Sequence, residues 1–173
     1  MSEQREVLVV YASRMGATRE IAERIGDQLR AVGLRVDVRD AGEDPDPVGY
    51  RMVIVGSALY LRRWRRAALR YLRRHRIALR GVPVWLFQSG WCGSFGADAR
   101  CKVPTAVRRA AADIDAALPV TFGGRLDREH ATGRLTRWVA GSPELRGDFR
   151  DWSAISRWAR EIARPLGGSA RSA

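Results

Sequence analysis

With 173 residues, 46% of them hydrophobic and 29% charged, the chain has the length and apolar content of one ordinary domain with a core of its own. Disorder, collagen-like sequence and low complexity are excluded, because apolar blocks alternate with turn residues and nothing repeats. The 31 basic residues outnumber 19 acidic ones, for a net charge of +12, and every basic residue except Lys102 is an arginine.

The polar start Met1–Arg5 runs into an apolar stretch too short for a signal-peptide core, so export is not expected. Val7–Ala12 is a continuous, β-branched run and reads as a buried strand. A glycine-bearing turn follows, then Ile21, Ala22, Ile25 and Leu29 at helical spacing up to Val32-Gly33. Leu34, Val36 and Val38 alternate as a second strand, the acidic Gly42–Pro47 stretch as a loop, and Met52–Val55 as a third strand. Leu61–Ile77 is expected to be one helix, with Trp64, Ala68, Tyr71 and Leu72 on its apolar side. Val82–Phe87 gives a fourth strand, Val103–Leu118 an alanine-rich helix, and Val120–Phe122 the start of a fifth strand. Trp152, Ile155, Trp158, Ala159 and Ile162 mark a closing amphipathic helix, after which Gly167–Ala173 is expected to be a disordered tail. The single domain is thus expected to span residues 1–166.

No apolar run approaches the roughly 20 residues of a membrane helix. Cys92 and Cys101 are too few for a disulfide framework or a four-ligand zinc site, which favours a reducing cytoplasm. His75 and His130 sit in no nucleophile motif, so a hydrolytic triad is disfavoured. Five strands, each but the last followed by a helix or crossover, imply an α/β sandwich on a five-stranded parallel sheet. The order 2-1-3-4-5 is favoured, with a ligand crevice at the carboxyl end of the first strand.

That crevice is where the informative residues fall. Ser13-Arg14-Met15-Gly16-Ala17-Thr18 lies directly before the first helix, where hydroxyls, free backbone N–H groups and the positive end of the helix dipole can hold a phosphate. The same residues also serve a plainer purpose, Gly16 making the turn and Thr18 capping the helix. The loop carries neither G-x-G-x-x-G nor G-x-x-x-x-G-K-[ST], which disfavours a nicotinamide dinucleotide site and a P-loop.

Ser-x-x-Gly-x-Thr at this place resembles the phosphate loop of flavodoxins, and Gly56-Ser57-Ala58-Leu59-Tyr60 resembles their second flavin loop. Val7–Ala22, Val53–Leu72 and Gly147–Ala163 are similar to the flavodoxin-domain branch that contains bacterial menaquinone-dependent protoporphyrinogen IX dehydrogenases. Gly123-Gly124-Arg125-Leu126-Asp127 and Gly147-Asp148-Phe149-Arg150-Asp151-Trp152 resemble further relatives of that branch. The resemblance implies a flavodoxin-like fold with non-covalently bound FMN. Ser13, Arg14, Met15, Gly16, Ala17 and Thr18 would hold the phosphate, while Ser57, Ala58, Leu59 and Tyr60 with Ser89, Gly90, Trp91, Cys92 and Gly93 would flank the ring. Tyr60 and Trp91 offer faces for stacking. Met15 stands where many flavodoxins place a hydroxyl, and Trp91-Cys92 replaces an expected proline. Since a flavin carries the redox chemistry itself, no side-chain acid, base or nucleophile is required, and no catalytic residue is assigned.

Nine arginines lie between Arg62 and Arg80, against about three expected at the chain average, and form a basic surface next to the second loop. It suits the carboxylates of a porphyrin-like substrate or an anionic membrane at the inner face of the cell. Nucleic acid is disfavoured, as no recognised reading motif accompanies the charge. Arg125–Gly147 is too long for a simple connection, and its Leu135, Trp138 and Val139 form a small apolar cluster that suits a lid or a membrane contact. The leading expectation is therefore an oxidoreductase passing electrons from a protoporphyrinogen-like substrate through FMN to a quinone. Two other readings stand beside it: a flavodoxin-type electron carrier, and a flavin-free binding module that uses the arginine helix.

Overall fold

The computed structural model describes residues 6–90, 102–126 and 147–167. Its parallel strands are β1 (Val7–Ala12), β2 (Val36–Asp40), β3 (Met52–Tyr60), β5 (Val84–Gly90) and β6 (Val120–Gly123), arranged β2-β1-β3-β5-β6. Counted along the parallel strands alone, this is the expected 2-1-3-4-5 order. A two-residue strand, β4 (Arg63–Trp64), pairs antiparallel with the end of β3, and β7 (Arg125–Leu126) pairs with β8 (Gly147–Asp148) in a separate ribbon.

Strand parity decides what each face buries, because successive side chains point to opposite sides. Leu8, Val10, Ala12, Val53 and Val55 face a layer containing α2 (Arg66–Arg74), α3 (Arg76–Arg80) and α4 (Thr105–Ala112). Val7, Val9, Met52 and Ile54 face α1 (Ala17–Ala31) and α5 (Trp152–Gly167). A central strand covered on both sides must be apolar throughout, which is why β1 and the first half of β3 show no polar alternation. Beneath β5 and β6, the Trp158 ring stands edge-on to Phe87 and Phe122, with centroids 6.3 and 5.6 Å away, closing the α5 side of the core.

The stretch after β3 departs most from expectation. Leu61–Ile77 is not a continuous helix: Leu61 and Arg62 turn the chain, β4 follows, and α2 begins only at Arg66 and stops at His75 before α3. Both turn residues are left-handed, with φ of 46° and 61°, the backbone of a two-residue hairpin turn normally built from Asn or Gly. Trp64 points inward, where its indole N–H donates to the buried Gln88 at 3.0 Å, and Gln88 in turn donates to Thr121. That polar chain holds Trp64 in the strand. The alanine-rich helix is also shorter than expected, ending at Ala112 ahead of a left-handed Asp115. The expected tail beyond Gly167 lies outside the described residues.

Candidate functional site

The carboxyl ends of β1, β3 and β5 lie side by side, with Ala12 in register with Ser57, Ser57 with Gln88, and Ala58 with Ser89. Gly56–Tyr60, expected as a loop, instead continues β3, and Ser89 and Gly90 end β5, so both segments lie with the Ser13–Thr18 loop at one sheet edge. Gly56 lets the sheet close just below them: a Cβ there would fall 1.9 Å from the Phe87 ring, so this glycine serves packing.

The first loop is bent by Gly16, whose φ of +85° is open to glycine and costly for other residues. Gly16 N–H donates to the Ser13 hydroxyl at 3.0 Å. Since that oxygen accepts, its own O–H remains able to donate outward. Gly16 is the N-cap, and the first intrahelical bond of this turn runs from Glu20 N to its carbonyl. The amides of Ala17, Thr18 and Arg19 consequently lack intrahelical acceptors. Thr18 does not cap the helix. Its buried hydroxyl lies 2.7 Å from that of Ser89, tying the first loop to the end of β5 from below. The donors left over at the end of β1 are thus backbone amides, with the Ser13 hydroxyl beside them at a positive helix end, a set that suits a dianionic phosphate.

The expected second loop is a braced hairpin. Buried Ser57 accepts from Arg65 N at 2.9 Å and donates to the Ala58 carbonyl, fixing the start of α2 against β3. Ser57→Ala strands the Arg65 N–H, and we expect it to lower unfolding free energy by about 1.5 kcal/mol in denaturant titration. Leu59 and Tyr60 pair with Trp64 and Arg63. The Arg14 guanidinium lies 5.5 Å from the Tyr60 ring centroid, joining first and second loops at the rim. At the end of β5, where the third loop was expected, the Gly90 carbonyl accepts from Gly124 N at 2.8 Å. Trp91, Cys92, Gly93 and the apolar cluster Leu135, Trp138 and Val139 lie outside the described residues.

A further group, unmarked by any motif, braces the Ser13–Thr18 loop from the far end of the chain. Glu20, in the first turn of α1, pairs with Arg125 at 3.3 Å and with Arg150. The Arg150 side chain is only 4% exposed. It grips Asp148 with Nε and Nη2, reaches Glu20 with Nη1, and lies over the Trp152 ring 4.5 Å from its centroid. Its fork holds the Asp148 carboxyl below the usual range. Asp151 then starts α5, accepting from the amides of Ser153 and Ala154, and the Ser153 hydroxyl lowers its pKa. Gly123 makes room for this segment, since a Cβ there would sit 1.8 Å from the Phe149 carbonyl oxygen.

A flavodoxin-domain family model matches residues 8–130, a span that includes β1 through β6 and the first two loops. The chain belongs to the flavodoxin-domain family. Membership implies a flavin cofactor and a redox role. Among solved structures, the chain is similar to oxidised flavodoxin 1 from Bacillus cereus, with a TM-score of 0.61 and 16% identity over 92% of this chain and 97% of that one. It is also similar to rubredoxin oxygen:oxidoreductase from Desulfovibrio gigas, with a TM-score of 0.63 and 14% identity over 98% of this chain and 39% of that one. At such identities these likenesses establish the fold. Among curated relatives, protoporphyrinogen IX dehydrogenase [quinone] of Escherichia coli K12 is 26% identical over 80 residues, 45% of this chain. The match spans 44% of that relative's length.

Proposed function

We propose that residues 1–166 form a single FMN-dependent oxidoreductase unit that takes electrons from a protoporphyrinogen-like substrate and delivers them to a quinone. The observation that carries this reading is the loop Ser13–Thr18, whose left-handed Gly16 caps α1 and leaves the first amides of the helix without intrahelical acceptors beside the Ser13 hydroxyl at the end of β1. Ser13, Arg14, Met15, Gly16, Ala17 and Thr18 would hold the phosphate, Thr18 through its amide because its hydroxyl is engaged by Ser89. Ser57 to Tyr60 and Ser89 to Gly93 would border the ring. Bound there, FMN supplies the transfer of two electrons, and the protein supplies orientation and the surrounding charge.

The arginine surface supports a substrate bearing carboxylates, which its field would gather at the crevice. The partial match to protoporphyrinogen IX dehydrogenase [quinone] supports both the porphyrinogen and the quinone. The same net charge of +12 disfavours a flavodoxin-type electron carrier, because docking on a basic partner would be opposed.

The test has two stages. FMN binding is measured by equilibrium dialysis of the purified chain, then protoporphyrinogen IX oxidation is followed anaerobically with menadione as acceptor. Saturable one-to-one FMN binding and porphyrin formation that depends on both FMN and menadione are expected. Binding without turnover would remove the substrate assignment, and no binding would remove the whole reading.

A further inference from the structure

From Val48 to Gly90 the sequence contains no Asp or Glu, while nine arginines fall between Arg62 and Arg80. The outward side of α2 carries Arg66, Arg70, Arg73 and Arg74 around a groove of about 650 Å³ that also reaches Leu69. Arg74 pairs with Asp44. Arg66, Arg70 and Arg73 make no ion pair among the described residues. Beyond the break at His75, α3 adds Ile77, which is 77% exposed.

The adjoining hairpin adds a second feature. Its tip places Leu61, 68% exposed, in a left-handed conformation that Asn or Gly would adopt with less strain. Hydrophobic side chains standing in water beside unpaired arginines match a surface that is apolar within and anionic at its face. Nucleic acid is a poorer fit, because single strands are gripped by aromatic stacking. The two aromatic residues of the arginine-rich stretch, Trp64 and Tyr71, are both buried.

We propose that the Leu61–Arg63 hairpin tip, with Arg66, Arg70, Arg73 and Ile77, forms a docking surface for an anionic lipid bilayer. The arginines meet phosphate headgroups, and Leu61 and Ile77 enter the headgroup–acyl boundary. Among the described residues no helix is long and apolar enough to cross a membrane, so the contact is peripheral. This inference rests on the proposed function for its purpose, access to a membrane quinone at the crevice beside the hairpin. The surface itself is independent of that reading.

The experiment is co-sedimentation of the full chain with vesicles of phosphatidylcholine alone or with about a quarter phosphatidylglycerol at physiological salt. Binding to the anionic vesicles and little to the neutral ones is expected. Arg70→Gln/Arg73→Gln should bind about thirtyfold more weakly, from the attraction lost per arginine. Leu61→Asn should bind about tenfold more weakly while melting no lower than wild type, since Asn tolerates the left-handed backbone. Equal sedimentation with both vesicle types, or undiminished binding by either variant, would overturn the proposal. So would salt-sensitive binding to single-stranded RNA without vesicle binding. No electron transfer is measured, so failure here leaves the oxidoreductase reading standing, and failure to bind FMN leaves the vesicle result standing.

Discussion

Replacing Gly16 by alanine is expected to weaken FMN binding about a hundredfold, whereas the same change at Gly33 should leave it unaltered. The two glycines make a matched pair, at φ of +85° and +90° at opposite ends of α1. An added Cβ meets only ordinary contact at Gly16, with Glu20 Oε1 at 3.8 Å, and nothing within 4 Å at Gly33. Steric exclusion is therefore not the issue at either place. Both substitutions force alanine into left-handed backbone, and each should cost about 1 kcal/mol of stability. Only at Gly16 does relief of that strain rotate the amides that would meet the phosphate and disturb the bond to Ser13. Charge-assisted bonds are worth enough that misaligning one or two accounts for the hundredfold. Denaturant titration and equilibrium dialysis on both variants separate the effects. Matching stability losses with unequal affinity losses support the phosphate assignment. Equal affinities would place the phosphate elsewhere.

The fold was legible because its strongest signals are local. Val7–Ala12 is apolar without alternation, as a strand covered on both faces must be, and Ile21, Ala22, Ile25 and Leu29 mark the buried side of α1. The hairpin after β3 was not legible, for a physical reason. Leu61 and Arg62 carry no turn chemistry, and the strain of their left-handed backbone is held by bonds made elsewhere: Ser57 to Arg65, and Gln88 to Trp64 across 24 residues. Without those partners, an arginine-rich stretch with apolar residues every three or four positions reads as one helix.

The candidate crevice divides in the same way. Its location follows from topology, and Gly16 announces itself as a turn before a helix. Side-chain roles depend on rotamers and distant partners. Thr18, expected to meet the phosphate through its hydroxyl or to cap α1, bonds instead to Ser89, 71 residues away. Ser57, expected beside the ring, holds the start of α2. Glu20 and Arg150 lie 130 residues apart, and no spacing rule links them. The nearest sequence signal was Gly147–Trp152, whose Asp151 cap before an amphipathic run fixes where α5 begins but says nothing of what Arg150 reaches.

Arg150 gives the other large expectation: Arg150→Ala should lower unfolding free energy by about 3 kcal/mol, a fall of roughly 6–12 °C in Tm. The guanidinium is nearly enclosed, satisfied by two carboxylates and seated on Trp152. Its loss leaves Asp148 without its fork and Glu20, among the described residues, with Arg125. The partial exposure of both carboxylates keeps the cost at the lower end for a broken buried pair. Arg150→Lys should recover little, because an ammonium cannot span the two Asp148 oxygens and Glu20 together. The Asp148 contact also carries a pH signature. Its folded pKa is depressed, so its stabilisation is present above the unfolded value of about 3.9 and disappears as pH falls through the folded value. Wild type should therefore exceed Asp148→Asn in stability at neutral pH, with the gap closing under acid. Because Glu20 stands in the first turn of α1, Arg150→Ala should also loosen the Ser13–Thr18 loop and, on the proposed reading, weaken FMN several-fold, far less than Gly16→Ala. A stable Arg150→Ala protein with an unchanged acid transition would show that this buried fork does not brace the fold.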